Sequence, residues 1–252
     1  MVYFIPGLFS GPIHYLFGTY FVDQFRYLES KGKNYETLPI HSEKTVKENA
    51  LFIKDFIKDK KDLTFVTHSK GGIDLLDTLI HFPELRKNIK RIFFIQAPFF
   101  GTPLVHLIEE KLALKWFTKS TIYALRGSWK ALNEISPEYR IQYMNIHQDK
   151  IKEIVNTMDI TCVGSMVDLE EKKIKSVLSP FIQYLDKVGA KGDGIVPFKS
   201  TQLPGAKNIQ VNGIDHSTMV VKRTLQDFDR MEFTSYLFNE NLEKETYEYQ
   251  YQ

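Results

Sequence analysis

The chain has 252 residues, a length that suits one large domain or two small ones. Its 33 Lys and Arg against 31 Asp and Glu leave a net charge of +2, which excludes the dense basic footprint of a nucleic-acid binder. With 43% hydrophobic and 25% charged residues it is a globular rather than a disordered chain, and its one cysteine, Cys162, excludes an internal disulfide framework and a cysteine-based zinc cluster.

The first charged side chain is Asp23. Residues 1–22 are nevertheless not a membrane span, because Pro6, Gly7, Ser10, Gly11, Pro12 and His14 interrupt the run of about 20 apolar residues that a span needs. The first basic residue, Arg26, comes too late for a secretory leader, so a cytoplasmic location is expected. Val2–Ile5 reads as a buried strand, followed by a glycine-containing turn and a helix over about 14–30. A weaker strand is predicted over 35–40. Ser42 and Glu43 then suit a helix start, and Val46, Ala50, Ile53 and Ile57 give that helix one apolar face. Strands are predicted over 63–66, Ile89–Ile95, 160–163 and 209–211, with helices over 73–80 and 218–238. This alternation predicts an α/β fold: a mostly parallel central sheet with helices on both faces. Residues 101–157 carry helical pattern without a strand, including a helix over 104–116, and 168–192 is irregular. Both read as insertions on a single domain of residues 1–240. The Lys-rich runs 54–61 and 172–175 are interspersed with acidic residues and read as solvated faces. Residues 241–252 form a polar tail expected to be loose.

The strongest chemical signal is Phe65-Val66-Thr67-His68-Ser69-Lys70-Gly71-Gly72. A strand enters, a serine sits at the turn, small residues follow and a helix leaves. A nucleophile elbow needs this pattern, because strand and helix must approach closely behind a strained serine. Thr67 stands where the first small residue of such a motif belongs, which is expected to loosen that packing. His68 is expected to point away from Ser69. Lys70 opposes the helix dipole and is expected to face solvent.

A nucleophilic serine needs a base and a group that orients the base. Of seven histidines, His216 lies after the last main strand, in Gly213-Ile214-Asp215-His216-Ser217, where an open α/β sheet places its site. Asp193, in Gly192-Asp193-Gly194, and Asp168 are both candidates for the acid; position between the preceding strand and the histidine favours Asp193. Asp215, adjacent to His216, is poorly placed to reach its Nδ1. Pro6-Gly7-Leu8 follows the first strand, so the amides of Leu8 and Lys70 are the candidates for an oxyanion hole.

Taken together, these residues resemble the lipase-like branch of the α/β-hydrolases, in the pattern of bacterial triacylglycerol lipases and carboxylesterases. The matching blocks are Ile5-Pro6-Gly7-Leu8, Thr67-His68-Ser69-Lys70-Gly71-Gly72, Ile95-Gln96-Ala97-Pro98-Phe99-Phe100-Gly101-Thr102-Pro103, and Asp193-Gly194-Ile195-Val196-Pro197 with His216. The resemblance implies Ser69 as nucleophile, Asp193 as acid, His216 as base, the Leu8 and Lys70 amides as oxyanion donors, and 101–157 with 168–192 as a cap or lid. Pro6 and Phe99 stand where these enzymes often carry histidine, which bears on substrate more than on chemistry. The expected activity is hydrolysis of acyl esters or lipids through an acyl-enzyme, with no cofactor and no metal. A thioesterase, amidase or acyltransferase would use the same residues on another group, and a non-catalytic binding protein would retain the fold without the reaction. Part of the surplus of 19 Phe and 13 Tyr has an expected place around Ser69: Phe9, Tyr15, Phe99 and Phe100, joined by Trp116. The cap helix also offers a surface for transient contact with lipid.

Overall fold

The computed structural model describes residues 1–11, 20–168, 176–222 and 224–239, and the backbone of 246–247. The expected positions of Tyr15 and of residues 172–175 lie outside that set. A 7-stranded sheet runs in the order β2-β1-β3-β4-β5-β6-β7, and every neighbouring pair is parallel. Its strands are β1 (Val2–Ile5), β2 (Tyr35–Thr37), β3 (Leu63–His68), β4 (Ile89–Ile95), β5 (Ile160–Met166), β6 (Lys207–Asn212) and β7 (Thr246–Tyr247).

Strand periodicity divides the core between the two faces of this sheet. Tyr3, Ile5, Phe65, Ile92 and Phe94 face one layer, which contains Ile53 and Ile57 of helix α2 (Val46–Ile57), Ile73 and Leu76 of α3 (Lys70–His81) and Ile154 of α8 (Gln148–Thr157). Val2, Phe4, Val66, Phe93 and Ile95 face the other, which contains Leu28 of α1 (Val22–Ser30) and Phe233 and Leu237 of α10 (Arg230–Phe238). Burial on both faces explains why Val2–Ile5 and residues 92–95 read as continuous apolar runs.

Several boundaries differ from expectation for local reasons. Helix α2 begins at Thr45 rather than Ser42: Thr45 Oγ1 accepts from the Glu48 amide at 3.3 Å while Glu48 Oε2 accepts from the Thr45 amide at 3.0 Å, a reciprocal capping box. The expected helix over 218–238 shrinks to α10. Asp229 caps it by accepting from the amides of Met231 and Glu232, and Arg230 satisfies the carbonyls of Val221, Lys222 and Phe228 in the non-helical stretch before it. The tail is not wholly loose, since Thr246 and Tyr247 pair with Gln210 and Val211 as a sheet edge.

Between β4 and β5 there is no strand, as expected: α4 (Leu104–Glu110), α5 (Leu112–Ala124), α6 (Trp129–Asn133), α7 (Pro137–Ile146) and α8 follow one another. The single helix expected over 104–116 is broken at Lys111, whose backbone is extended at φ −88° and ψ 103°. Within the described part of the second expected insertion, 176–192, lies α9 (Ser179–Lys187). Among the described residues no helix is long and apolar enough to cross a membrane.

Candidate active site

β3 ends at His68, and Ser69 follows with φ 53° and ψ −129° before α3 begins. Such a backbone costs a non-glycine residue on the order of 1–3 kcal/mol and needs surrounding structure to hold it. The Ser69 amide donates to the Ile95 carbonyl of β4 at 2.9 Å, which ties the turn to the neighbouring strand. The two glycines after the serine are fixed by space. A Cβ on Gly71 would lie 2.5 Å from the Pro6 carbonyl oxygen, and one on Gly72 would lie 2.5 Å from Ala97 Cβ. Thr67 does not loosen this packing. It is wholly buried, with its hydroxyl donating to the Phe93 carbonyl at 3.4 Å.

The loop after β1 lies directly against the serine, since a Cβ on Gly7 would meet Ser69 Cβ at 2.8 Å. The Gly7 amide donates to Tyr20 Oη at 3.2 Å. The amides of Leu8 and Lys70 donate to no acceptor among the described residues. Both are backbone donors beside Ser69, as an oxyanion site requires.

His216 Nδ1 lies 2.9 Å from Asp193 Oδ2, with the aspartate wholly buried. Asp193 Oδ1 accepts from the amides of Ile195 and Val196 at 2.9 and 2.7 Å, and the His216 amide donates to the Asp193 carbonyl at 3.0 Å. With Nδ1 facing a carboxylate, that nitrogen carries the proton and Nε2 is the basic one. Asp168 is exposed at the end of β5. Asp215 is committed to its own turn: Oδ1 accepts from the Ser217 and Thr218 amides, and Oδ2 from the Ser176 hydroxyl at 2.6 Å. Ser69 Oγ makes no hydrogen bond among the described residues.

One expectation about the elbow needs correction. The Lys70 side chain does not face solvent; it is 1% exposed, and its Nζ lies 2.9 and 3.0 Å from the two Asp74 carboxylate oxygens, one helical turn along α3. Burial pushes the Asp74 carboxyl up to about 6 against the opposing pull of Lys70. Only the backbone of Lys70 is therefore left for a ligand. His68, the residue before Ser69, lies with Val66 on the α1 and α10 side by strand alternation. There its ring lies 4.6 Å from the His216 ring, centroid to centroid.

Around His68 are residues that the spacing of motifs did not reveal. Its Nδ1 is 2.5 Å from Tyr20 Oη, and its Nε2 is 2.9 Å from the His216 carbonyl and 3.2 Å from Gln96 Oε1. A signal existed: His68 ends β3 and Gln96 directly follows β4, so two polar residues lie side by side at the carboxyl ends of adjacent strands. Of the aromatics expected around Ser69, Phe99 is wholly buried with its ring edge-on to Phe94 at 5.2 Å, so it packs the core. Phe9 and Phe100 are half-buried, and Trp116 is 72% exposed on α5. Among the described residues no group of three or more His, Cys, Asp or Glu converges as metal ligands would.

No family model and no curated protein matches the chain. Solved structures do. The mature lipase BlEst2 of Bacillus licheniformis is 19% identical with a TM-score of 0.65, over 85% of this chain and 84% of that one. The metagenomic carboxyl esterase MGS0156 is 20% identical with a TM-score of 0.69, over 98% of this chain and 70% of that one. Lipase 1 from Pelosinus fermentans is 13% identical with a TM-score of 0.64, over 94% and 97%. The chain has a lipase-like α/β-hydrolase fold.

Proposed function

We propose that the protein is a serine hydrolase of carboxylic esters, of lipase or esterase type, with residues 1–240 as one catalytic domain capped by 101–157 and 168–192. The observation that carries this reading is the buried Asp193 carboxylate held 2.9 Å from His216 Nδ1, in loops at the same carboxyl end of the strands as the strained Ser69. His216 Nε2 takes the Ser69 proton as Oγ attacks the ester carbonyl. The Leu8 and Lys70 amides receive the negative charge on the carbonyl oxygen. The alcohol leaves with the proton from His216, giving an acyl-Ser69 ester. Water, deprotonated by the same histidine, attacks that ester; the carboxylic acid leaves and the Ser69 hydroxyl is restored. Asp193 holds the tautomer and offsets the imidazolium charge.

Phe9 and Phe100, half-buried and packed against the core, are assigned to the acyl chain. On α5, Leu112, Trp116, Phe117 and Tyr123 are 83%, 72%, 66% and 85% exposed, and Lys111, Lys115 and Lys119 lie among them. A helix face of aromatics and lysines suits transient contact with a lipid surface. The solved lipases and esterases of the same fold agree with this substrate class. The test is covalent labelling by a fluorophosphonate together with hydrolysis of nitrophenyl esters of rising chain length. Labelling and turnover that Ser69→Ala abolishes are the expected result; turnover that survives Ser69→Ala in pure protein rejects the reading.

A further inference from the structure

We propose that Tyr20 and His68 are positioning residues that lock the loop bearing the Leu8 amide to the loop bearing His216. This inference rests on the serine hydrolase reading above.

The direction of each hydrogen bond follows from its neighbours. Gln96 Nε2 donates to Ser165 Oγ at 2.6 Å and reaches the Asp215 carbonyl at 3.3 Å, so its Oε1 is the atom turned to His68. His68 Nε2 therefore faces two oxygens, Gln96 Oε1 and the His216 carbonyl, and neither can donate to it. Nε2 carries the hydrogen, and Nδ1 is left as an acceptor. The Tyr20 hydroxyl fills that role as donor at 2.5 Å, and its oxygen accepts from the Gly7 amide. One directed chain results, from the Gly7 amide to Tyr20 Oη, from the Tyr20 hydroxyl to His68 Nδ1, and from His68 Nε2–H to the His216 carbonyl.

Each end of this chain falls on a group the reaction uses. Tyr20 takes up the Gly7 amide, so the plane of the Pro6–Gly7 peptide is fixed and the next amide, that of Leu8, is the one offered to an oxyanion. His68 holds the backbone of His216 itself, while Asp193 holds its ring. His68 is 3% exposed, and burial with the nearby His216 keeps its pKa well below the usual histidine value. It therefore stays neutral when His216 takes up the Ser69 proton 4.6 Å away, and the imidazolium meets no like charge. Burial also raises the Tyr20 phenol, which keeps its hydroxyl hydrogen for His68.

The experiment compares full-length wild type, Tyr20→Phe, His68→Gln and His68→Leu on a soluble short-chain nitrophenyl ester, with affinity for a trifluoromethyl ketone as a second readout. That ketone adds the serine oxygen and carries an oxyanion. Tyr20→Phe is expected to lower kcat by about 10- to 100-fold, with KM within about twofold and ketone affinity reduced by the same factor as kcat. His68→Gln, which places an amide N–H near the position of Nε2, is expected to keep more kcat than His68→Leu. Equal kcat in wild type and Tyr20→Phe overturns the inference, as does a loss that raises KM and leaves ketone affinity unchanged. Where Tyr20→Phe fails to fold, the order of the two His68 variants decides, and an equal loss in both overturns it. Wild type that shows no Ser69-dependent labelling rejects the hydrolase reading and this inference with it; Ser69-dependent turnover that the variants leave unchanged rejects this inference alone.

Discussion

Lys70 Nζ and the Asp74 carboxylate form a buried ion pair at 2.9 Å, one helical turn behind the candidate nucleophile, and Asn49 Nδ2 donates to the same carboxylate at 2.9 Å. Removing one partner leaves the other charge without compensation in a low-dielectric site. Asp74→Ala is expected to cost about 3–5 kcal/mol in urea unfolding, while the double variant Lys70→Met with Asp74→Leu stays within about 1–2 kcal/mol of wild type. The double variant is also expected to keep most of its ester turnover, since only the Lys70 backbone amide is assigned to the reaction. A loss of turnover in a stably folded double variant shows that the side chain acts in the reaction.

Acid should weaken the fold through His68. Its folded pKa is lowered by burial and by His216, and its other close neighbours are the neutral Tyr20 and Gln96. The stability tied to keeping it neutral is present above the unfolded value near 6.5 and is lost as pH falls below it, at about 1.4 kcal/mol per pH unit. Asp74 acts in the opposite sense. Its pKa is raised to about 6, so its contribution is present below the ordinary carboxylate value and fades as pH rises through 6. The difference between wild type and His68→Gln, measured by urea unfolding from pH 7.5 to 5, cancels Asp74. Wild type is expected to lose stability more steeply toward pH 5, and parallel profiles contradict the assignment.

Gly71→Ala tests the close approach of elbow and oxyanion loop. The added methyl would lie 2.5 Å from the Pro6 carbonyl and 2.7 Å from the Ile5 carbonyl, both rigid backbone groups. The fold is expected to lose about 1–3 kcal/mol. Turnover is expected to fall by about 10²-fold, as for loss of an oxyanion donor. Thermal melts and initial rates on a soluble ester check both numbers.

The proposed mechanism predicts that the three aspartates weighed as partners of His216 separate on substitution. Asp193→Asn keeps an acceptor for the Ile195 and Val196 amides but turns a donor or the wrong tautomer on His216, and kcat is expected to fall by about 10³–10⁴-fold with little unfolding. Asp215→Asn is expected to act mainly on stability, because its oxygens cap the turn at Ser217 and Thr218. Asp168→Asn should leave kcat within about twofold, the spread of an exposed surface change. Steady-state rates for the three variants rank the residues, and a larger loss in Asp168→Asn than in Asp193→Asn reverses the assignment.

Trp116 and Phe117 on α5 should matter for dispersed substrates only. Replacing both by serine removes apolar area that a lipid surface would cover, with an expected loss of about tenfold or more in turnover on anionic vesicles containing a long-chain ester. Turnover of a dissolved short-chain ester should stay within about twofold. Equal losses on both substrates show a packing defect instead.

The parallel sheet was legible because β1, β3, β5 and the second half of β4 are buried on both faces and stand out as mainly apolar runs between helical segments. The elbow was legible too, since only small residues fit where Gly71 and Gly72 meet Pro6 and Ala97. Asp193 could be favoured over Asp168 by position, but its contact with His216 depends on how a loop after β5 folds back, which spacing does not encode. The surroundings of His68 were hidden for a related reason: Tyr20, Gln96 and His216 come from distant segments, and each is unremarkable in its own neighbourhood. Lys70 was misread because a helix-start lysine is usually solvated, whereas here Asp74 four residues on supplies a buried counter-charge. The end of the chain was misread because residues 218–222 keep apolar character while their carbonyls serve other groups: Met219 accepts from Gln24, Val220 from the Phe21 amide, and Val221 and Lys222 from Arg230.

A sheet with only parallel neighbours contains no hairpin, so each strand must wait for a crossover before it finds its partner. His68, Gln96 and His216 lie at or beyond the carboxyl ends of β3, β4 and β6, Tyr20 lies between β1 and α1, and their hydrogen bonds span as many as 148 positions of sequence. During refolding, burial of the tyrosines should recover before Ser69 regains reactivity toward a fluorophosphonate, because closure of such distant contacts comes late. The interval between the two signals is a clock for the last stage of assembly, when the carboxyl-terminal third of the chain docks against strands laid down by the first.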